Sequence, residues 1–224
     1  MSNNSGRAFG RPGIPPRWTS SSKEGVGTAY STASRVWFTL SHGILNEIYY
    51  PTIDRPQIRD MEFLITDGET FVHEEKRDLD NTVSYIEEHT LGYRIDSVDP
   101  EGRYRLTKEI ISDPHQPCVL INVRLEANPE WTGRLQVYAL LAPHLEVGGW
   151  GNSARRYRAA GRTICLAWKG STYLAMGSNQ GFANVSCGYV GTSDGWRDLK
   201  DNRKLDWRFD SAEDGNVALI GQID

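Results

Sequence analysis

The chain has 224 residues, 38% of them hydrophobic, and a domain of that size hides roughly 70% of its unfolded surface, so one large core is the expectation. Its formal net charge of -4 supplies no basic field of the kind a phosphate backbone needs, which argues against nucleic acid as a partner. Three widely spaced cysteines, Cys118, Cys165 and Cys187, sit in apolar, strand-like runs where a thiol behaves as a small buried hydrophobe, and they imply no disulfide framework.

The opening stretch "MSNNSGRAFGRPGIPPRWTSSSKEG" is rich in Gly, Pro and Ser and reads as an extended arm over 1–25 rather than packed structure, ahead of one domain over 26–224. It lacks the apolar centre of a signal peptide, and no run elsewhere is long enough to cross a bilayer. A cytoplasmic location with no membrane partner is therefore expected. "GVGTAYS", Gly25 to Ser31, has the glycines of a phosphate loop but neither the Lys-Ser/Thr ending nor a following helix.

Beyond the arm the dominant period is two. "RVWFTL", "MEFLIT" and "ETFVHEE" read as strands, the last two separated by the turn pair Asp67-Gly68. In "GRYRLTKEII" the apolar Tyr104, Leu106 and Ile110 share one parity, interrupted only by Lys108. "CVLINVRLEA" and "GRLQVYALLAP" repeat the alternation, and the turns "DPEG" and "NPEWTG" punctuate the series. "RTICLAWK", "TYLAMGS", "ANVSCGYV" and "NVALIGQI" follow as strands, with "WKGS" as a turn. The one convincing helix is short: Ser193 or Asp194 caps "DGWRDLKDNRKL", with Lys204 in its last turn. Many short strands joined by tight turns predict an all-β fold of two packed antiparallel sheets. The closing "GNVALIGQID" looks like a strand in need of a neighbour, so the sandwich is expected to be cut before its last strands.

The densest chemistry lies in "LNEIYYPTIDRPQIRDMEFL", Leu45 to Leu64. Paired carboxylates for glycoside hydrolysis would come from Glu47, Asp54, Asp60 and Glu62. The favoured alternative is structural, with Asp54 and Asp60 pairing to Arg55 and Arg59 to brace a loop. The five histidines show neither HxH nor HxxxH spacing, so no metal site and no cofactor are expected. Asp78 and Asp80 are acidic enough to serve calcium, though a solvated face is the simpler reading. Trp18, Tyr49, Tyr50, Trp131, Trp150 and Trp196 stand within two residues of Gly, Asn or Pro, and aromatics in loops suit sugar rings as well as core rims.

Several long segments, taken in order, resemble the start of bacterial glucoamylases and glucodextranases: Phe9 to Gly68, "KEIISDPHQPCVLINVRLE", "PHLEVGGWGNSA", "GTSDGWRDL" and "GNVALIGQID". The resemblance implies an N-terminal β-sandwich of the supersandwich, galactose mutarotase-like type, followed in the same polypeptide by a catalytic (α/α) barrel that carries both catalytic glutamates. It further implies a parent enzyme that releases β-D-glucose from the non-reducing ends of α-glucans with inversion. No position here matches the catalytic pair, so no catalytic residue is assigned and this chain alone is expected to be inactive.

On that resemblance the segment from Leu45 to Asp60 is expected to form a stiff corner facing the barrel, since Pro51 and Pro56 bias Tyr50 and Arg55 toward extended backbone. Tyr49, Tyr50, Asp54, Arg55, Arg59, Asp60 and Trp150 are its candidates for interface or pocket rim. Docking without substrate contact is favoured over contact with an α-glucan or glucose oligosaccharide. The alternatives are a stand-alone carbohydrate-binding sandwich and a mutarotase-like epimerase using His115 or His144 with a carboxylate.

Overall fold

The structure, a computed structural model, describes residues 6–19 and 22–223. The alternating runs become strands β1 (Gly25–Thr28), β2 (Trp37–Ser41), β3 (Ile44–Tyr49), β4 (Ile58–Thr66) and β5 (Val72–Glu74). A four-residue helix α1 (Glu75–Asp78) then leads into β6 (Asp80–Tyr85), β7 (Tyr93–Val98), β8 (Tyr104–Ser112), β9 (Val119–Ala127) and β10 (Gln136–Pro143). The remainder is β11 (Asn152–Ala159), β12 (Arg162–Lys169), β13 (Thr172–Met176), β14 (Val185–Tyr189), α2 (Gly195–Asn202), β15 (Ser211–Gly215) and β16 (Val217–Ile223).

An eight-stranded sheet in the order β1-β2-β3-β4-β10-β16-β14, with β5 added to β4, forms one layer. Two four-stranded sheets, β13-β12-β11-β15 and β6-β7-β8-β9, form the other. The ladders between named strands are antiparallel. Strand parity builds the interface. Phe38, Leu45, Phe63, Ala139, Leu141 and Leu219 of the large sheet meet Tyr93, Ile95, Leu106 and Ile110 of one small sheet and Ala154, Cys165 and Ala167 of the other in one continuous core. The two-sheet antiparallel sandwich expected from the sequence is thus what forms.

The opposite face of the large sheet is divided. Over β10, β16 and β14 it is apolar, and Leu64, Tyr138, Leu140, Ala218 and Ile220 pack beneath Leu199 of α2 and the following Leu205. Asp194 caps α2 by accepting the Arg197 N–H at 2.8 Å, and the helix stops at Asn202 with Arg203 in the left-handed region. Lys204 therefore falls just beyond the last turn in which it was expected. Over β2, β3 and β4 the same face is polar yet buried, with Thr39, Ser41, Asn46, Asp60 and Glu62.

Three sequence expectations change. β16 lies between β10 and β14 with a partner on each side, so the strand in need of a neighbour has two. The arm is extended but not apart from the sandwich: Ala8 and Ile14 donate backbone bonds to Ser211 and Val190 at 2.8 and 3.0 Å, and the Phe9 ring meets Trp207 and Phe209 edge-on. The predicted strand "ETFVHEE" shrinks to β5 and continues as α1. At the Asp67-Gly68 turn, Asp67 accepts three backbone N–H groups, and Gly68 takes the positive φ of 81° that this turn requires.

Candidate functional site

The corner is narrower than the sequence indicated. β3 runs through Tyr49 and β4 begins at Ile58, leaving 50–57 as the loop and placing Arg59 and Asp60 inside a strand. The loop is closed by Tyr50 N–H to Arg55 carbonyl at 3.1 Å and Arg55 N–H to Thr52 carbonyl at 3.1 Å. Gln57, almost fully buried, clamps its base: the side-chain amide donates to the Tyr50 carbonyl at 2.6 Å and accepts the Glu146 N–H at 3.0 Å. Bulges flank the corner on both sides, with Asn46 the extra residue of β3 against β2 and Arg59 that of β4 against β10. Bulges re-aim side chains, and here they crowd polar groups onto the face that α2 leaves uncovered.

Three of the four carboxylates singled out from the sequence gather on that face. Glu47 accepts from Lys23 at 2.6 Å, Thr39 at 3.2 Å and the Tyr49 hydroxyl at 2.6 Å. Burial and the neighbouring Glu47 push the Tyr49 hydroxyl up to about 12. Asp60 is held by both arms of the Arg59 guanidinium at 3.0 Å and by the Thr19 hydroxyl at 2.6 Å. Burial opposes its ionisation, yet Arg59 and Lys76 keep the carboxyl below its ordinary value. Glu62 has Lys76 at 3.3 Å on one oxygen, while its buried Oε2 has no hydrogen-bond partner among the described residues. Burial, reinforced by Asp60, Glu74 and Glu75, raises its carboxyl to about 7 even with Lys76 beside it. Sealed and ion-paired in this way, Asp60 and Glu62 present no open acid-base pair to a sugar.

The predicted bracing is half right. Arg59 pairs with Asp60, but Arg55 pairs with Glu146 rather than Asp54. Asp54 stands in solvent at the tip, its carboxyl lowered by the Thr52 hydroxyl. Arg55, Tyr50, Gln57 and Glu146 form one wall of a cleft of about 610 Å³ whose other wall is the β12–β13 hairpin, with Lys169, Thr172 and Tyr173. Trp150 is elsewhere: it lines a separate hollow of about 440 Å³ with Arg11 and Asp214. The corner candidates and Trp150 therefore do not form one site.

His144 closes β10 directly behind the corner. Its ring lies under Trp18 in an edge-to-face contact at 4.7 Å, is buried, and has no hydrogen-bond partner on either nitrogen among the described residues. Burial and then Arg59 lower it to about 4, so it is a neutral packing group near neutral pH. His115 is exposed in the loop after β8, and neither its imidazole nor that of His144 makes a hydrogen bond or ion pair with a carboxylate among the described residues. The described residues contain no cluster of three or more His, Cys, Asp or Glu arranged for a metal ion. Asp78 instead accepts the Glu74 N–H at 2.7 Å.

These features place the chain among large two-layer antiparallel β-sandwich domains. It belongs to the glucodextranase domain N family, whose pattern its residues 8–224 match. A glucoamylase from Clostridium sp. (strain G0005) is 35% identical over 217 residues, covering 97% of this chain and 31% of that protein. A bacterial glucoamylase crystallised with acarbose superposes with a TM-score of 0.94 at 34% identity, over 97% of this chain and 32% of that one. The chain thus spans about a third of the length of the relatives it matches.

Proposed function

We propose that the chain is the non-catalytic N-terminal domain of an α-glucan exo-hydrolase whose catalytic (α/α) barrel follows in the same polypeptide, and that the corner at 50–57 docks on that barrel and shapes its pocket rim. The observation that carries the reading is the match of 97% of this chain to only 31% of a glucoamylase. The corner supports the docking role: it is clamped by Gln57 and carries Ile53 exposed at its tip beside the Arg55–Glu146 pair, an apolar anchor with a charged rim. An intracellular setting is part of the proposal and is supported by three free thiols.

On a denaturing gel of source-cell lysate, an antibody against this chain should mark a band far above 25.2 kDa, whereas a band at that mass overturns the reading. The docking role has its own test. Ile53→Asp, a surface change, should leave the 224-residue chain within about 0.5 kcal/mol of its native stability but lower the melting temperature of the longer enzyme with KM unchanged. A raised KM at unchanged melting temperature means substrate contact instead, and no change in either removes the corner from the interface.

A further inference from the structure

The outer face of the small sheet formed by β11, β12 and β13 is a row of rings. Strand register places Trp168 directly opposite Tyr173, and Arg155 and Tyr157 follow on the next strand over with the same parity. Their inward neighbours Ala154, Cys165 and Ala167 fill the core, so the pleat turns the rings to the outer face, where Trp168 is half-buried. Tyr173 is 65% exposed and Tyr157 44%. The Arg155 guanidinium lies 5.1 Å from the Tyr157 ring centre and 5.5 Å from that of Trp168, bridging the two. It makes no ion pair among the described residues, so its N–H donors stand beside the rings unused.

We propose that this row is a binding strip for an α-glucan chain, separate from any catalytic pocket. The α-glucan identity of the ligand rests on the reading given under Proposed function; the strip itself does not. Glucose rings carry apolar C–H faces bordered by hydroxyls. Flat rings with a guanidinium between them match both features: the aromatics take the apolar face, and the unspent donors take the hydroxyls. From Tyr173 to Tyr157 the strip crosses two strand spacings and four residues of rise, about 17 Å, which seats several rings in a row. At its Tyr173 end it opens into the cleft with Tyr50, Arg55 and Glu146. A glucan held on the strip is thereby led toward the corner proposed to meet the barrel.

The test is titration of the 224-residue chain with maltohexaose and with isomaltohexaose, followed by calorimetry and by the indole N–H resonance of Trp168. Saturable binding that moves that resonance is expected for at least one of the two, with affinity independent of salt. Tyr173→Ala and Tyr157→Ala remove exposed rings and leave no cavity, so melting temperature should hold while affinity drops about five- to tenfold in each. Absence of saturable binding to both sugars overturns the strip, as does binding that both variants leave intact. Binding only to a sulfated polysaccharide, abolished by high salt, overturns it in favour of a polyanion surface. If the chain binds but the longer enzyme does not, the barrel covers the strip and the guiding role is overturned. A lysate band at the mass of the chain itself would sink the parent-enzyme reading while leaving these titrations as they stand.

Discussion

Lys108→Met alone is expected to destabilise the chain by about 3–5 kcal/mol, the penalty for leaving one buried ion without its partner. Lys108 points inward from β8 and is 1% exposed, and its partner Glu75 is 0% exposed. The ammonium donates to the Gly43 carbonyl at 2.6 Å, and the second Glu75 oxygen accepts the Phe63 N–H at 2.6 Å. One ion pair thereby ties β8 and α1 to the β2–β3 turn and to β4 of the facing sheet. Removing the lysine strands the carboxylate between apolar layers, whereas Lys108→Met combined with Glu75→Gln should recover most of the loss, because no charge is left behind. For a domain of this size each kcal/mol moves the melting temperature by about 2–4 °C, so a fall on the order of 10 °C is expected for the single variant. A single variant within about 1 kcal/mol of the parent would contradict this account.

Glu62→Gln is expected to stabilise the chain at pH 8 and to change little at pH 5. The carboxyl titrates near 7 in the fold, against an ordinary value of 4.5. The folded state therefore holds a proton that the unfolded chain has released, folding takes up a proton across that window, and stability is lost as pH rises through it. Above the window the penalty amounts to about 3 kcal/mol for one buried carboxylate. Glutamine keeps the shape and removes the ionisation, while Lys76 retains Asp60 at 3.8 Å. Urea unfolding of both proteins between pH 5 and pH 8 measures the difference. Parallel stability curves would place the proton elsewhere.

What the sequence disclosed followed from local periodicity. Alternation marked β8, β9 and β10 and put Tyr104, Leu106 and Ile110 on the buried side; it even flagged Lys108 as out of place. The partner of Lys108 was hidden because Glu75 falls in a run that alternates like a strand, whereas the chain turns into α1 there. Asp194 was legible as a cap because capping is a matter of three or four adjacent residues. Pairing across the sheets was not legible, since nothing in "NVALIGQI" says that it inserts between β10 and β14. The bulges at Asn46 and Arg59 were equally silent, and with them the convergence of Glu47, Asp60 and Glu62 on one face. Attention to aromatics beside Gly, Asn and Pro selected Trp150, which stands apart from the corner. It passed over Trp168 and Tyr173, whose solvent parity was readable in "RTICLAWK" and "TYLAMGS".

The position of β16 governs the order in which this domain can be made. Val217 and Leu219 complete the layer between the sheets, and Ala218 and Ile220 complete the one beneath α2. Both apolar layers therefore depend on β16, which follows the other fifteen described strands in sequence. Until it emerges, β10 and β14 each show a bare edge on a growing chain, and the strands already made can associate only in part. Settling of these two layers therefore waits for β16, and the interval before it emerges is when the two open edges most need protection from other chains.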